Sequence, residues 1–350
     1  MYIRPFAALA AVSLLSSCAI HPVPEDVTGV DTYHIVRQIR CETREAAKAF
    51  VLKELRRLAA DHEDQPGDRL AQRLVAEYEA KPDAISNFRP ELFRGPQYAQ
   101  VRNFYNVIYS AGIAYNFDLT MTEDNNLGTS INFLGPWAPS TFTLGLGADA
   151  NRQRANERTF TITDTLGTLL TKLDTPVRGR RYCDGQIVEA NYAYPIAGRI
   201  GVDKMVQTFF ELVLFTNLSA DKGGPPTMAD KLTFTTVVDI SAMPKVVFAP
   251  VTSGFQLADA SLTGVAKRTD MHQVTVGLAI DTKATAALGL LRNYLFSRQR
   301  GAGVAVASPP GGGVLVVTSL TAHANTGAQQ LAIVAVDQLK SREVQIIPAR

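Results

Sequence analysis

The stretch Tyr115-Asn116-Phe117-Asp118-Leu119-Thr120-Met121-Thr122 alternates apolar and polar side chains without a miss. Successive side chains of a strand point to opposite faces, so Tyr115, Phe117, Leu119 and Met121 share one face and Asn116, Asp118, Thr120 and Thr122 the other. Next, Glu123-Asp124-Asn125-Asn126-Leu127-Gly128 has the Asx and Gly content of a turn. Ile131 and Phe133 resume the alternation, Gly135-Pro136-Trp137-Ala138-Pro139 interrupts it, and Phe142, Leu144 and Leu146 define a third strand. Phe160 and Ile162 mark a fourth, with Thr159, Thr161 and Thr163 as its polar row, before Leu166, Leu169, Leu170 and Leu173 return to helical spacing.

Upstream the period is helical. Ala47, Phe50, Val51, Leu55 and Leu58 recur at three and four, with Thr43 as N-cap and an end near His62. Asp68 caps a second helix through Leu70, Leu74 and Tyr78, stopped by Pro82, and a third covers Tyr98 to Ser110. Between Ile200 and Leu218 lies the most apolar helix, capped by Asp203, whose apolar residues spread too widely for one wet face. It reads as a helix packed between a sheet and other elements, or as an interaction helix docking a partner or a second copy through Phe209, Phe210, Leu214 and Phe215.

After the break at Asp221-Lys222-Gly223-Gly224-Pro225-Pro226 the pattern repeats. Leu232, Phe234, Thr236 and Val238 alternate, Val246 and Phe248 follow, Ser261 to Lys267 gives a third strand, and Val274 to Ile280 a fourth. A helix with Ala284, Leu288, Leu291 and Leu295 on one face succeeds them. The tail reads as a loop over Gly301 to Gly313, a strand from Val314 to Leu320, an apolar stretch from Leu331 to Val336 and a short last strand around Val344 to Ile347. The expected class is α+β, with antiparallel sheets in two similar four-stranded meanders, each followed by a helix, and an N-terminal helical segment. The expected partition is 41–220 for the helical segment with the first β module and 227–350 for the second.

The N-terminus carries a different signal: Arg4, an uncharged run from Pro5 to Leu15, then Leu15-Ser16-Ser17-Cys18. A basic start and a short apolar core describe a cleaved export signal, too short to span a bilayer as a resident helix. The last four residues resemble the lipobox of bacterial lipoproteins. That resemblance implies cleavage after residue 17, a diacylglycerol on Cys18, a lipidated N-terminus and linker over 18–40, and membrane partnership through the lipid. Ala19 in place of an aspartate resembles lipoproteins passed to the outer membrane, so the expected location is the periplasmic face of that membrane. Once Cys18 carries lipid, Cys41 and Cys183 are the remaining thiols, in a compartment that favours oxidation. They form either one disulfide or two independent buried thiols; a catalytic Cys183 activated by Arg178, Arg180 and Arg181 lacks a histidine partner.

Loss of residues 1–17 removes Arg4 alone among charged groups, which takes the formal net charge from +2 to +1 and excludes bulk electrostatic attraction to nucleic acid. Gly-x-Ser-x-Gly is missing from the sequence, and Gly145-Leu146-Gly147-Ala148-Asp149-Ala150, close to a dinucleotide fingerprint, leaves a strand instead of opening a helix. The histidines His21, His34, His62, His272 and His323 are scattered, and Asp124-Asn125-Asn126 has no closing glutamate for calcium. No catalytic, cofactor or metal residue is expected; Asp270 and His272, on one face of a strand, are the sole acid-base pair on offer. These features point to a non-catalytic outer-membrane lipoprotein, a binding or envelope-assembly module that engages an envelope protein or itself. An integral β-barrel or pore component and a lipid-anchored hydrolase are the alternatives.

Overall fold

The computed structural model describes residues 22–60, 66–137, 140–173, 179–186, 189–220, 223–247, 256–285, 288, 291 and 326–346. The helices are α1 (Glu25–Thr28), α2 (Thr32–Ala60), α3 (Pro66–Ala80), α4 (Ala99–Ser110), α5 (Leu166–Thr171), α6 (Val202–Phe215) and α7 (Gly327–Ile346). The strands are β1 (Gly112–Trp137), β2 (Ser140–Thr165), β3 (Thr227–Ala242), β4 (Lys245–Val247) and β5 (Gln256–Ala279). They form one five-stranded antiparallel sheet of order β2-β1-β5-β3, with β4 also paired to β5, so the class is α+β.

Two four-stranded meanders are not what the chain builds. Glu123–Gly128 stays inside β1, which runs for 26 residues, and β2 runs for another 26, so four expected strands are two long ones. In the second half, Ser261–Lys267 and Val274–Ala279 lie on the single strand β5. The polar residues from Glu123 to Asn126 sit where the strand is accessible to water, and a run of Asx side chains on a wet strand mimics turn composition.

The chain divides into two units, each assembled from several segments. A strand unit comprises Met1–Asp31, Asp118–Arg158 and Thr233–His272; a helical unit comprises Thr32–Phe117, Thr159–Leu232 and Gln273–Arg350. Both draw residues from either side of the 221–226 break.

The helical unit is organised around α2. Ile35, Val36, Ile39, Ala46, Ala47, Phe50, Val51 and Leu55 are buried, a stripe at three- and four-residue spacing that packs on α3 and α6. This stripe begins at Ile35, so residues 32–40 are helix and not linker. Thr43 is no N-cap: its hydroxyl donates to the Ile39 carbonyl one turn back, inside the helix. On β1, five consecutive residues from Ile113 to Phe117 are buried, so both faces are covered there. One cover is α7: Ala332 and Val336 pack on Ala114 and Ala279. A Cβ on Gly112 or Gly277 would run into the backbone of Ala328 or Ala332, which explains glycine at both strand positions. The strand expected around Val344 is the last turn of α7 over its described length, because apolar residues at 328, 332, 335 and 336 give that segment a helical stripe. The segment 301–320 and the lipobox-like residues with Cys18 lie outside the described residues.

Candidate functional site

Cross-strand contacts fix the faces of the long strands. Asn116 Nδ2 donates to Thr161 Oγ1 at 2.9 Å, Phe117 and Phe160 stack with centroids 4.8 Å apart, and Asn132 Nδ2 donates to Asp259 Oδ1 at 2.8 Å. Val246 pairs with Ala260, and the Ile280 and Leu262 amides donate to the Pro226 and Pro244 carbonyls, which carries the same register along β3 and β4. Odd-numbered residues of β1 therefore share a face with even-numbered residues of β2, β3, β4 and β5.

In the strand unit this face is apolar and open to solvent. Leu127 is 50% exposed, Phe142 47%, Leu146 55%, Ile240 65% and Val246 55%. On β2 the alternation Phe142, Leu144, Leu146, Ala148, Ala150 holds for nine residues, and every residue from 142 to 150 is exposed. The opposite face carries Asn126, Ser130, Asn132, Asp149, Asp259 and Thr263. Beside Asp149 and Thr263 lies Gly128, part of an open depression of about 510 Å³ that Leu127 and Val265 also line.

A charged cluster ends the apolar band. Arg268, nearly buried, donates from Nε to Asp270 Oδ1 at 2.8 Å and from Nη1 to Glu123 Oε1 at 3.1 Å; Glu123 also pairs with Arg154. Arg268 Nη2 donates to the Val23 carbonyl at 2.6 Å, its Nη1 lies 3.5 Å from Asp26, and Asn156 Nδ2 donates to the Pro22 carbonyl at 2.9 Å. The cluster thus clips residues 22–26 across the sheet at the level of Glu123, four residues along β1 from Leu127. Cys18 precedes Pro22 by four residues, a reach of at most about 14 Å.

The clip also absorbs the one acid-base pair expected from sequence. His272 Nε2 stands 4.0 Å from Asp270 Oδ2, and both side chains are buried. Burial pushes the imidazole below its ordinary value, with Asp270 opposing and Arg268 assisting. With Asp270 bonded to Arg268, the pair is part of an ion-pair cluster.

Cys41 and Cys183 are disulfide-bonded, with Cα atoms 5.7 Å apart across a sequence separation of 142. The interaction helix is core. Phe209, Phe210 and Leu214 are fully buried within the helical unit, Phe210 stacks on Phe50 at 4.8 Å, and Phe215 receives the Arg57 guanidinium 4.6 Å above its ring. Its apolar residues pack on α2, which supplies the second surface that their wide spread requires. Its N-cap position is Gly201, not Asp203. The Glu42 carboxylate, from the middle of α2, accepts the Ile200, Gly201 and Val202 amides at 2.7–2.8 Å. Nothing in sequence spacing links Glu42 to residues 158 positions away.

A cleft of about 700 Å³ beside Cys183 sets Arg44, Lys48 and Arg181 against Glu45, Asp83 and Asp184. Its charges balance. Among the described residues, no group of three His, Cys, Asp or Glu side chains is placed to hold a metal ion, and no helix is long and apolar enough to cross a membrane.

Among solved structures, similarity is found to the type II secretion system secretin GspD of Escherichia coli K12, at 10% identity and a TM-score of 0.25 over 60% of each chain. The Salmonella type III secretin InvG in its open gate state gives 7% identity and a TM-score of 0.20 over 55% of this chain and 67% of that one. Scores this low carry no argument about fold or role. The sequence is 33% identical over 278 residues to Uncharacterized protein y4kA of Sinorhizobium fredii (strain NBRC 101917 / NGR234), covering 77% of this chain and 81% of that relative. The family model described as Uncharacterised protein y4kA matches residues 21–288, and the chain belongs to that family.

Proposed function

We propose that this protein is a non-catalytic envelope lipoprotein, anchored through Cys18, whose strand unit enters the membrane and lays its apolar sheet face against acyl chains. The observation that carries this reading is the solvent-exposed alternation on four neighbouring strand segments, apolar on one face and predominantly polar on the other, where Val237 and Val247 are the exposed apolar exceptions. The nine-residue run on β2 compares with the roughly 9–11 residues of a tilted transmembrane strand. Moving an exposed Leu, Val or Phe from water into hydrocarbon contributes about 1.5–3 kcal/mol each. The N-terminal clip brings the lipidated end to the rim of the apolar band, so anchor and sheet meet one membrane, and each acyl methylene adds about 0.8 kcal/mol. Ala19 after the lipobox-like segment supports the outer membrane as that membrane, approached from the periplasm.

Trp137, the last residue of β1 and the single tryptophan of the chain, reports insertion. The mature chain carrying Cys18→Ser, which removes the lipid and keeps the sheet, is mixed with vesicles whose acyl chains are brominated. Trp137 emission is expected to be quenched, and Leu144→Glu with Leu146→Glu to abolish quenching at unchanged circular dichroism. Unquenched Trp137 at saturating lipid would remove the membrane role of the sheet.

A further inference from the structure

We infer that the sheet closes between copies of the chain: the β2 edge of one copy pairs with the β3 edge of the next, and a ring of copies forms one β-barrel with the polar face inside. This rests on the membrane reading above. In hydrocarbon every backbone N–H and C=O must be paired, which an open sheet cannot satisfy. Among the described residues β3 and β4 both pair with β5 and are two segments of one edge, so the sheet they form is four strands wide and has two edges, β2 and β3 with β4. Closed transmembrane barrels start at about eight strands. One copy is insufficient.

The edges are built to be joined. Exposed edges are ordinarily blunted by lysine, proline or bulges, yet Phe142–Ala150 of β2 contains a single charge, Asp149, and no proline. Thr233–Ala242 of β3 likewise carries one charge, Asp239, and the proline and lysine of this edge, Pro244 and Lys245, are confined to its β4 end.

Geometry selects the joint. Neighbouring strands are antiparallel, so across four strands β2 and β3 run in opposite directions and a β2–β3 joint continues the alternation. An antiparallel β2–β2 joint would turn one copy upside down and send its lipidated N-terminus to the other side of the membrane. A parallel β2–β2 joint would turn its apolar face to the interior. Only head-to-tail pairing keeps apolar face and N-terminal clip aligned in every copy, and head-to-tail interfaces whose rotation closes form rings. The polar face, with Asn126, Ser130, Asn132, Asp149, Asp259 and Thr263, then lines a water-filled passage.

The test places one cysteine on each edge, Ala150→Cys and Ala242→Cys, both on the apolar face, in the full lipidated chain. Cys18 carries lipid and Cys41–Cys183 is bonded, so only the new thiols react. Bis-maleimides of several lengths are applied in vesicles of outer-membrane lipid. The double variant is expected to give a ladder of multimers and each single variant none. Dimers from Ala150→Cys alone would overturn the head-to-tail joint. Absence of a ladder at all lengths, with Trp137 still quenched, would overturn the ring and leave the membrane reading standing. A ladder without quenching would keep the edge joint and remove its membrane setting. Trapped dye is expected to leak from vesicles that hold the ladder-forming protein; retention would overturn the closed, polar-lined barrel.

Discussion

The face of β1 that carries Tyr115 and Phe117 in the helical unit carries Leu127 and Ile131 in the strand unit, and the two stretches meet different fates. Tyr115 and Phe117 are fully buried, whereas Leu127 and Ile131 are 50% and 39% exposed. The alternation is the same, so periodicity specifies which face is apolar and says nothing about what covers it. In the helical unit the cover comes from the chain itself. In the strand unit none of the described residues supplies it, which is why the exposed face, and not the buried one, is where a partner phase is sought.

The largest expected effect separates the two units by their staples. Cys41→Ser removes a crosslink whose loss typically costs about 2–5 kcal/mol in a secreted domain. Both sulfurs belong to the helical unit. Hydrogen exchange is expected to speed up across α2 and α6 while quenching of Trp137 by brominated lipid is unchanged; loss of quenching would show that the membrane face depends on the disulfide. A same-face pair sharpens the contrast. Phe117→Ala, at a buried ring stacked on Phe160, is expected to cost about 3–5 kcal/mol in urea unfolding. Phe142→Ala, at an exposed ring, is expected to stay within about 0.5 kcal/mol and to weaken vesicle binding. Equal destabilisation by the two would mean that the strand unit already covers its apolar face.

Much of this was legible in the chain. The stripe on α2, the α5 and α6 helices, the strand at Tyr115 and the α+β class follow from apolar spacing, because burial on one side leaves a period. Strand continuity was not legible. A wet strand and a turn draw on the same polar residues, and Glu123 holds its place through Arg154 and Arg268, which come from other strands. The helix start at Thr32 is present in Ile35, Val36 and Ile39, but His21-Pro22-Val23-Pro24 just upstream gives the segment the composition of a tether. Long-range polar bonds, Glu42 to the start of α6 and Arg268 to the Val23 carbonyl, leave no trace in local spacing. The bidentate Arg40–Asp164 pair, with both contacts at 2.7 Å, is another such case: burial disfavours charge on Arg40, yet the paired hydrogen bonds hold its guanidinium above its ordinary value.

An intermediate effect tests the clip. Arg268→Leu takes the ion pair from Asp270 and the bond from the Val23 carbonyl together. Removing one partner of a buried pair costs on the order of 3 kcal/mol. Residues 22–31 are expected to become protease-sensitive, with the helical unit unaffected; continued protection would show that Asn156 and its bond to Pro22 suffice.

The smallest effect is a difference in sign with pH. Burial lowers the His272 imidazole below its ordinary 6.5 in the strand unit. There the unfolded chain takes up the proton first, so the stability that neutral His272 contributes is complete above about pH 6.5 and is lost as pH falls through the folded value. In the helical unit, burial raises the Glu42 and Glu54 carboxyls above their ordinary 4.5, against three backbone amides at Glu42 and against Arg57 and Lys53 at Glu54. Here the folded state protonates first, so stability is gained as pH falls from the raised value towards 4.5. Hydrogen exchange, corrected for the intrinsic rate, is therefore expected to show protection falling below about pH 6.5 along β5 near His272, while protection of α2 and the start of α6 rises at lower pH. His272→Gln should flatten the first trend and leave the second. A common slope in both units would mean that the clip and the helical core unfold as one body, and the contrast between the covered and uncovered stretches of β1 would then be one of solvent exposure alone.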